Sequence, residues 1–346
     1  MDVRRTTGPA AFELPEWSDL AARDPNRHVF LLPAWGRAWW EEFGAGKELI
    51  VLTFLDPGPV GLAALTLDAA PEGGRLRFLG GDDLTDYMGP LTAGPEHLPV
   101  VADALVRYAC EELPDWTLFD AKCLPVPFGF AEWLVEAADR LGVTFEIDQH
   151  ETTAVLPLPS SLDAYLDSLA KKNRHEVRRK IRRFEREAPG ARLVTATAET
   201  LEQDLRDFAD MHRGSEGLKG HFMVPERQTF FERVGRSFGT LGLLSLDFLE
   251  AAGRRVAGTF SFEFDGTFYL YNSAYDTSMR AISPGLILAV RLIERSIARG
   301  CRRFDFLRGE ERYKYDLGAT ALPLHAVRIT RCAQRPEAAL SLGASG

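Results

Sequence analysis

Arg254–Tyr275, RRVAGTFSFEFDGTFYLYNSAY, decides the fold. Phe260, Phe262 and Phe264 alternate with Thr259, Ser261 and Glu263, the period of a strand with one buried and one polar face. Asp265-Gly266 suits a two-residue hairpin turn, and TFYLYNSAY supplies the returning strand. Just beyond, an apolar period near 3.6 predicts a helix over Ser283–Arg299, stopped by Gly300, where a helix C-terminus favours a left-handed residue. The strand CRRFDFLRG (301–309) follows. Antiparallel hairpin, helix and strand together predict the α/β class, with an α+β mixed sheet.

The rest of the second half leads into this unit. A helical stretch over Ser161–Ala188 precedes RLVTAT, helices near Thr200–Arg213 and Pro225–Phe238, and the strand LGLLSLDFLE. The first half has a similar order. LIVLTF and VGLAALTL flank the turn Asp56-Pro57-Gly58-Pro59, and RLRFLGG, the acidic loop GDDLTDY and a helix over Glu96–Glu112 follow. Then come the strand TLFDAKCL, a helix over Phe130–Leu141, and the strands VTFEID and TAVLPLP. Gly61 aligns with Gly258 and Asp120 with Asp305, which predicts a tandem duplication of one α/β unit; two unrelated α/β domains are the alternative.

At 346 residues, the length fits about two domains of roughly 150 residues, which excludes a disulfide-held mini-protein. Composition, 45% hydrophobic and 26% charged, excludes wholesale disorder and a fibrous architecture. Charge is unevenly spread: residues 1–150 carry 11 Lys+Arg against 25 Asp+Glu, and residues 151–346 carry 30 against 25. The acidic whole, net −9, argues against a general nucleic-acid binder, and any anionic ligand would meet the second half. Cys110, Cys123, Cys301 and Cys332 fit no metal-ligand spacing, so free thiols and a cytoplasmic setting are expected, with no metal. The N-terminus shows no secretory pattern and the chain no membrane span.

Several stretches occur in a telling order: Leu32-Pro33-Ala34-Trp35 with Trp39-Trp40, the basic run Lys171-Lys172 to Lys180, Ser283-Pro284-Gly285, and Phe304-Asp305-Phe306-Leu307-Arg308-Gly309-Glu310 with Tyr313-Lys314. Together they resemble the CelD/BcsL-type acyltransferases of the GNAT superfamily, relatives of the FemAB aminoacyl transferases. The resemblance implies two tandem GNAT-like units, 1–160 and 161–335, with 336–346 as a flexible tail. It implies transfer of an acyl group, acetyl being the one expected, from acyl-CoA to an amine or hydroxyl of a small molecule, glycan or peptide, in bacterial surface-polysaccharide or envelope metabolism. One departure stands out. The Arg/Gln-x-x-Gly-x-Gly/Ala loop of GNAT enzymes is replaced by Ile282-Ser283-Pro284-Gly285, and FemAB relatives use aminoacyl-tRNA as donor. A non-catalytic binding module with this fold is the third reading.

Within that frame the helix starting at Ser283 presents unpaired N–H groups to a phosphate, unless Ser283 is a plain N-cap. Ser283, Gly285, Leu286, Tyr271, Asn272 and Arg308 form the expected cofactor set. Asp305, mid-strand between phenylalanines, is a base or else a structural partner of Arg303 or Arg328; Glu310 or Glu311 is the rival base. Tyr313 is the expected acid for the departing thiolate, with Tyr275 and Tyr315 as alternatives, and Lys314 would neutralise charge or hold a phosphate. For the acceptor side, Arg174, Arg178, His212, Tyr275 and Trp39 are expected. Arg174, Arg178, Arg182 and Arg186 repeat at four-residue spacing, His212 is spaced to meet Glu216, and Trp35, Trp39 and Trp40 either line the acceptor cleft or form core. Asp82, Asp83 and Asp86 are of a type that ligates a divalent ion, but Gly80-Gly81-Asp82-Asp83 is ordinary turn composition, the reading preferred here.

Overall fold

A computed structural model describes residues 1–70, 73–215 and 220–331; Glu216, Cys332 and the expected tail at 336–346 lie outside the described residues. The first half runs β1 (Asp2–Thr7), α1 (Pro15–Arg23), α2 (Pro33–Phe43), β2 (Lys47–Asp56), β3 (Gly58–Asp68), β4 (Gly74–Phe78), β5 (Leu91–Thr92), α3 (Leu98–Glu112), β6 (Trp116–Pro125), α4 (Phe130–Arg140) and β7 (Thr144–Pro157). The second runs α5 (Leu162–Ser168), α6 (Lys171–Glu187), β8 (Arg192–Thr195), α7 (Leu201–Arg213), α8 (Pro225–Thr240), β9 (Leu244–Ala251), β10 (Arg254–Phe264), β11 (Thr267–Tyr275), α9 (Pro284–Ala298), β12 (Arg303–Arg308), α10 (Arg312–Asp316) and β13 (Thr320–Thr330). The class is mixed α/β, as the hairpin, helix and strand pattern implies.

All strands join one sheet, ordered β1-β2-β3-β4-β6-β13-β7-β12-β11-β10-β9-β8, with β5 on β3. Read from either end, the order passes through an antiparallel run, one parallel step (β4 with β6, β11 with β12) and an antiparallel step to the centre. Each half therefore has the same plan, the arrangement expected of a duplication. The halves exchange their last strands: β13 pairs with β6, and β7 pairs with β12. β7 and β13 then pair with each other along eleven residues of β13, closing the sheet at its middle.

Three elements differ from their sequence expectation. VTFEID and TAVLPLP form a single strand, β7, because β13 holds both segments in one ladder. The helical stretch over Ser161–Ala188 breaks at Leu169 and Ala170, which are extended. Leu169 and Tyr165 are buried there, and the Tyr165 hydroxyl donates to the Leu317 carbonyl at 3.0 Å. β13 itself escapes notice in sequence because Pro323, His325 and Arg328 interrupt its apolar alternation.

Two apolar cores lie against the sheet. On β12, Phe304 and Phe306 enter the core with α9, α5 and α6, and Leu307 enters the core with α7, α8 and the first half. The α9 side is pinned by a fully buried carboxylate: Arg295 of α9 meets both oxygens of Asp247 on β9 at 2.5 and 2.6 Å, and Ser245 and Thr195 complete its bonds. Removing one partner strands the other's charge. Asp247→Ala is expected to cost about 3–5 kcal/mol of unfolding free energy, read by urea denaturation, whereas Arg299→Ala on the exposed end of α9 should cost under about 1 kcal/mol.

Candidate active site

The parallel step in the second half is short. β11 and β12 pair from Thr267 and Arg303 to Tyr269 and Asp305, and then part, although β11 continues to Tyr275 and β12 to Arg308. Leu307 takes a left-handed φ of 58°, and the register with β7 shifts between Asp305 and Arg308. A cleft of about 520 Å³ lies beside the parted strands, walled by β10, the end of β11, the start of α9, and the segment bearing Glu311 and Tyr313.

The start of α9 differs from a plain N-cap. A 3-10 turn over Thr277–Ile282 separates it from β11, so the helix does not follow the strand directly. Ser283 sits at φ 53°, ψ 50° with no side-chain capping bond. Pro284 has no N–H, and the first intrahelical bond runs from Ile287 to Ser283 at 3.1 Å. The Gly285 and Leu286 amides are first-turn donors without intrahelical acceptors, and both residues line the cleft. With the helix dipole behind them they favour an anion. A side chain at Gly285 would begin 3.4 Å from the Tyr275 ring, so glycine keeps this wall open.

Tyr313 also lines the cleft, its ring packed edge-on against Phe306. No described residue hydrogen-bonds its hydroxyl, and burial pushes its pKa well up, so it is a phenol available as a proton donor. Lys314 has a different place. It is 3% exposed, and its ammonium donates to the carbonyls of Arg308 (2.6 Å), Gly309 (3.1 Å) and Leu307 (3.4 Å) while pairing with Glu311 at 2.9 Å. It closes the end of β12. Glu311 is mostly exposed at the cleft, and Glu310 is exposed beside it.

Tyr271, Asn272, Arg308 and Asp305, expected near the cofactor or the reacting group, lie outside this cleft and meet other partners. The Tyr271 hydroxyl donates to the Leu84 carbonyl at 2.8 Å. Asn272 Oδ1 accepts from the Ser273 amide and from His212 Nε2, each at 2.9 Å. Arg308 pairs with Asp86 and donates to the Asp82 carbonyl at 2.6 Å. Asp305 accepts from the Tyr87 hydroxyl at 2.8 Å and from the Leu307 amide at 2.8 Å. Neither arginine suggested by the sequence is among these bonds; Arg328 meets Asp148 at 2.8 Å instead. Burial raises the Asp305 pKa to about 7, against the lowering effect of those two hydrogen bonds.

Tyr87 and Thr153 are the residues that sequence reading missed, and Asp86, read there as turn composition, is the partner of Arg308. They come from the acidic loop and β7, and only the exchange of strands brings them to β12. The loop's three carboxylates meet three separate cations: Asp82 with Lys122, Asp83 with Arg227, and Asp86 with Arg308. In the first half β4 and β6 part similarly after Leu76 and Phe119, but the loop fills that gap, its Met88 amide donating to the Cys123 carbonyl at 2.9 Å.

The remaining expected residues are dispersed. Tyr275 lies beside Gly285 at the cleft, and Trp39 and Trp35 are buried core. On α6, Arg174 pairs with Asp167, while exposed Arg178 has no partner among the described residues.

The Acetyltransferase (GNAT) domain family matches residues 171–315. Among solved structures, FemX aligns at TM-score 0.65 and 12% identity, covering 93% of this chain and 96% of that one. A Bacteroides thetaiotaomicron protein of unknown function aligns at 0.58 and 16%, covering 91% and 96%. A tandem GNAT protein from the clavulanic acid biosynthesis pathway aligns at 0.46 and 15%, covering 96% and 100%. No curated protein matches the sequence. The likeness to FemX is one of fold.

Because the folded state holds the Asp305 proton to about pH 7 and the unfolded chain releases it near 3.8, the folded state carries the extra proton between those values. Stability from this group is full below about pH 4 and lost as pH rises to about 7, with a slope approaching about 1.4 kcal/mol per pH unit. Unfolding free energies of wild type and Asp305→Asn, measured from pH 4.5 to 8, should converge or cross through that slope; a constant difference would contradict the assignment.

Proposed function

We propose that the chain is an acyltransferase whose single donor site is the cleft at the parted ends of β11 and β12, taking acyl-CoA, with acetyl-CoA as the first donor to test. The supporting observation is the convergence of a helix N-terminus, whose first amides have no intrahelical acceptor, with a part-buried phenol that no described residue hydrogen-bonds, on one cleft of about 520 Å³. Gly285 and Leu286 would hold the pyrophosphate, and the parted strands would admit the pantetheine arm. An amine or hydroxyl of the acceptor attacks the thioester carbonyl, a carboxylate at the cleft mouth, Glu310 or Glu311, takes its proton, and Tyr313 protonates the departing thiolate. Asp305 and Lys314 act as positioning residues for the end of β12. The motif order supports a CelD/BcsL-type enzyme of bacterial envelope or surface-polysaccharide metabolism working in the cytoplasm, built as units 1–160 and 161–335.

A second donor is favoured by one feature. Lys171, Lys172, Arg178 and Arg182 on α6 are exposed and lack partners among the described residues, and Lys180 of the same helix lines the cleft. In the FemAB-like reading this face holds the acceptor stem of an aminoacyl-tRNA. Its signature would be tRNA binding that weakens steeply with salt and is abolished by Arg178→Glu with Arg182→Glu.

Acetyl-CoA at millimolar concentration should raise the melting temperature of the protein, and Tyr313→Phe should keep that rise while lowering kcat about 100-fold. No rise with any acyl-CoA would remove the CoA reading.

A further inference from the structure

Above the end of β12 no described strand continues the sheet. Arg308 is the last β12 residue paired with β7, opposite Thr153, and the Gly309 amide makes one more bond to the Thr152 carbonyl at 3.2 Å. β7 runs on to Thr144, paired with β13 on one side and with no described strand on the other. The first half leaves no comparable opening. There β6 follows β13 as far as Leu324, and the turn Val126–Phe128 packs against what is left.

The opening is exposed and acidic. Thr144, Glu146, Ile147, Asp148 and Gln149 are exposed, and Ile147 is one of few large apolar side chains so placed. Residues 144–151 carry Glu146, Asp148 and Glu151, one histidine, His150, and no Lys or Arg. Nearby cations only partly offset them: Arg328 of β13 is shared among Asp148, Glu146 and Asp120, and Arg308 reaches Glu151 at 4.0 Å. Charges on a free edge commonly serve to repel other strands. That role does not account for where the opening starts: Tyr269, Asp305 and Val155 lie level by register, so β11, running on to Tyr275, ends level with the start of the opening. Strands pair about 4.8 Å apart, so a strand added beside β7 would begin level with the β11 end that walls the donor cleft.

We infer that the free edge of β7 over residues 144–151 binds the acceptor as an added strand, and that the acceptor is an extended peptide bearing primary amines. Backbone N–H and C=O groups of β7 supply the register, and the three carboxylates select cationic side chains. The inference rests on the proposed donor site for its catalytic meaning, but the binding itself does not need a donor.

The probe is a heptapeptide of alternating lysine and threonine, with two versions N-methylated at alternate backbone nitrogens, offset by one residue. Hydrogen exchange of the intact protein is followed with peptide alone and with acetyl-CoA alone. Expected with peptide is at least tenfold slowing within residues 144–151, kept by one N-methylated version and lost with the other, because only alternate amides of an added strand face β7. Unchanged exchange at millimolar peptide, or equal behaviour of the two versions, overturns the inference. Acetyl-CoA alone should slow exchange within residues 283–287; if it does not, the donor reading fails while the peptide result stands on its own. Where both hold, acetyl transfer to the peptide should exceed transfer to N-acetyl-lysine methylamide at least tenfold in kcat/KM, and equal rates would overturn the acceptor role.

Discussion

The site depends on one carboxyl group inside the sheet. Asp305 accepts the Leu307 amide, and Leu307 stands in a left-handed conformation that costs a residue with a side chain about 1–2 kcal/mol. A strand that turns this way bulges, and β12 resumes its pairing with β7 at Arg308 but not with β11. β12 therefore leaves β11 after Tyr269, and the separation of two parallel strands is what makes room for a ligand between the end of β11 and the start of α9. Tyr87 holds the other oxygen of Asp305 from across the molecule, so the first half of the chain maintains the opening in the second. Lys314 fixes the same strand end from below by bonding three successive carbonyls.

The duplicated plan makes the difference between the halves informative. Cys123, left-handed at φ 54°, stands in the register break of β6 as Leu307 stands in that of β12. The same strand geometry is thus present twice. In the first half the loop that carries Leu84, Tyr87 and Met88 occupies the gap between β4 and β6, and those side chains are buried. One loop closes its own half and props open the other, a division of roles that a pair of identical units could not have.

What sequence could show follows from range. Period-two and period-3.6 patterns are local, so the hairpin at Asp265-Gly266, the helix at Ser283 and the strand around Asp305 are all readable, as is the parallel between Gly61 and Gly258. The cleft residues Gly285, Tyr275, Glu311 and Tyr313 belong to those elements, and each was singled out. Strand exchange is not local. It places β13 between β6 and β7 and brings Tyr87 to Asp305 across 218 residues of chain, and no periodicity records it. Asn272 and Arg308, neighbours in sequence to cleft residues, bond to His212 and Asp86 in other parts of the chain, which no local pattern records.

The charge asymmetry acquires a physical location from the same topology. The excess of cations in the second half is concentrated on α6, beside the start of α9, where the ligand's phosphates would lie. Much of it is internally neutralised: Arg179 and Lys180 face Glu176, and Arg183 and Arg186 face Glu187. Lys171, Lys172, Arg178 and Arg182 remain as the exposed positive surface. Of the anions in the first half, those of the loop at Asp82–Asp86 are paired with Lys122, Arg227 and Arg308, while Glu146, Asp148 and Glu151 lie along β7, which strand exchange carries into contact with β12. On the proposed reading, the cations of α6 would draw a polyanionic donor and the carboxylates of β7 a cationic acceptor, each from its own side of the sheet's second half.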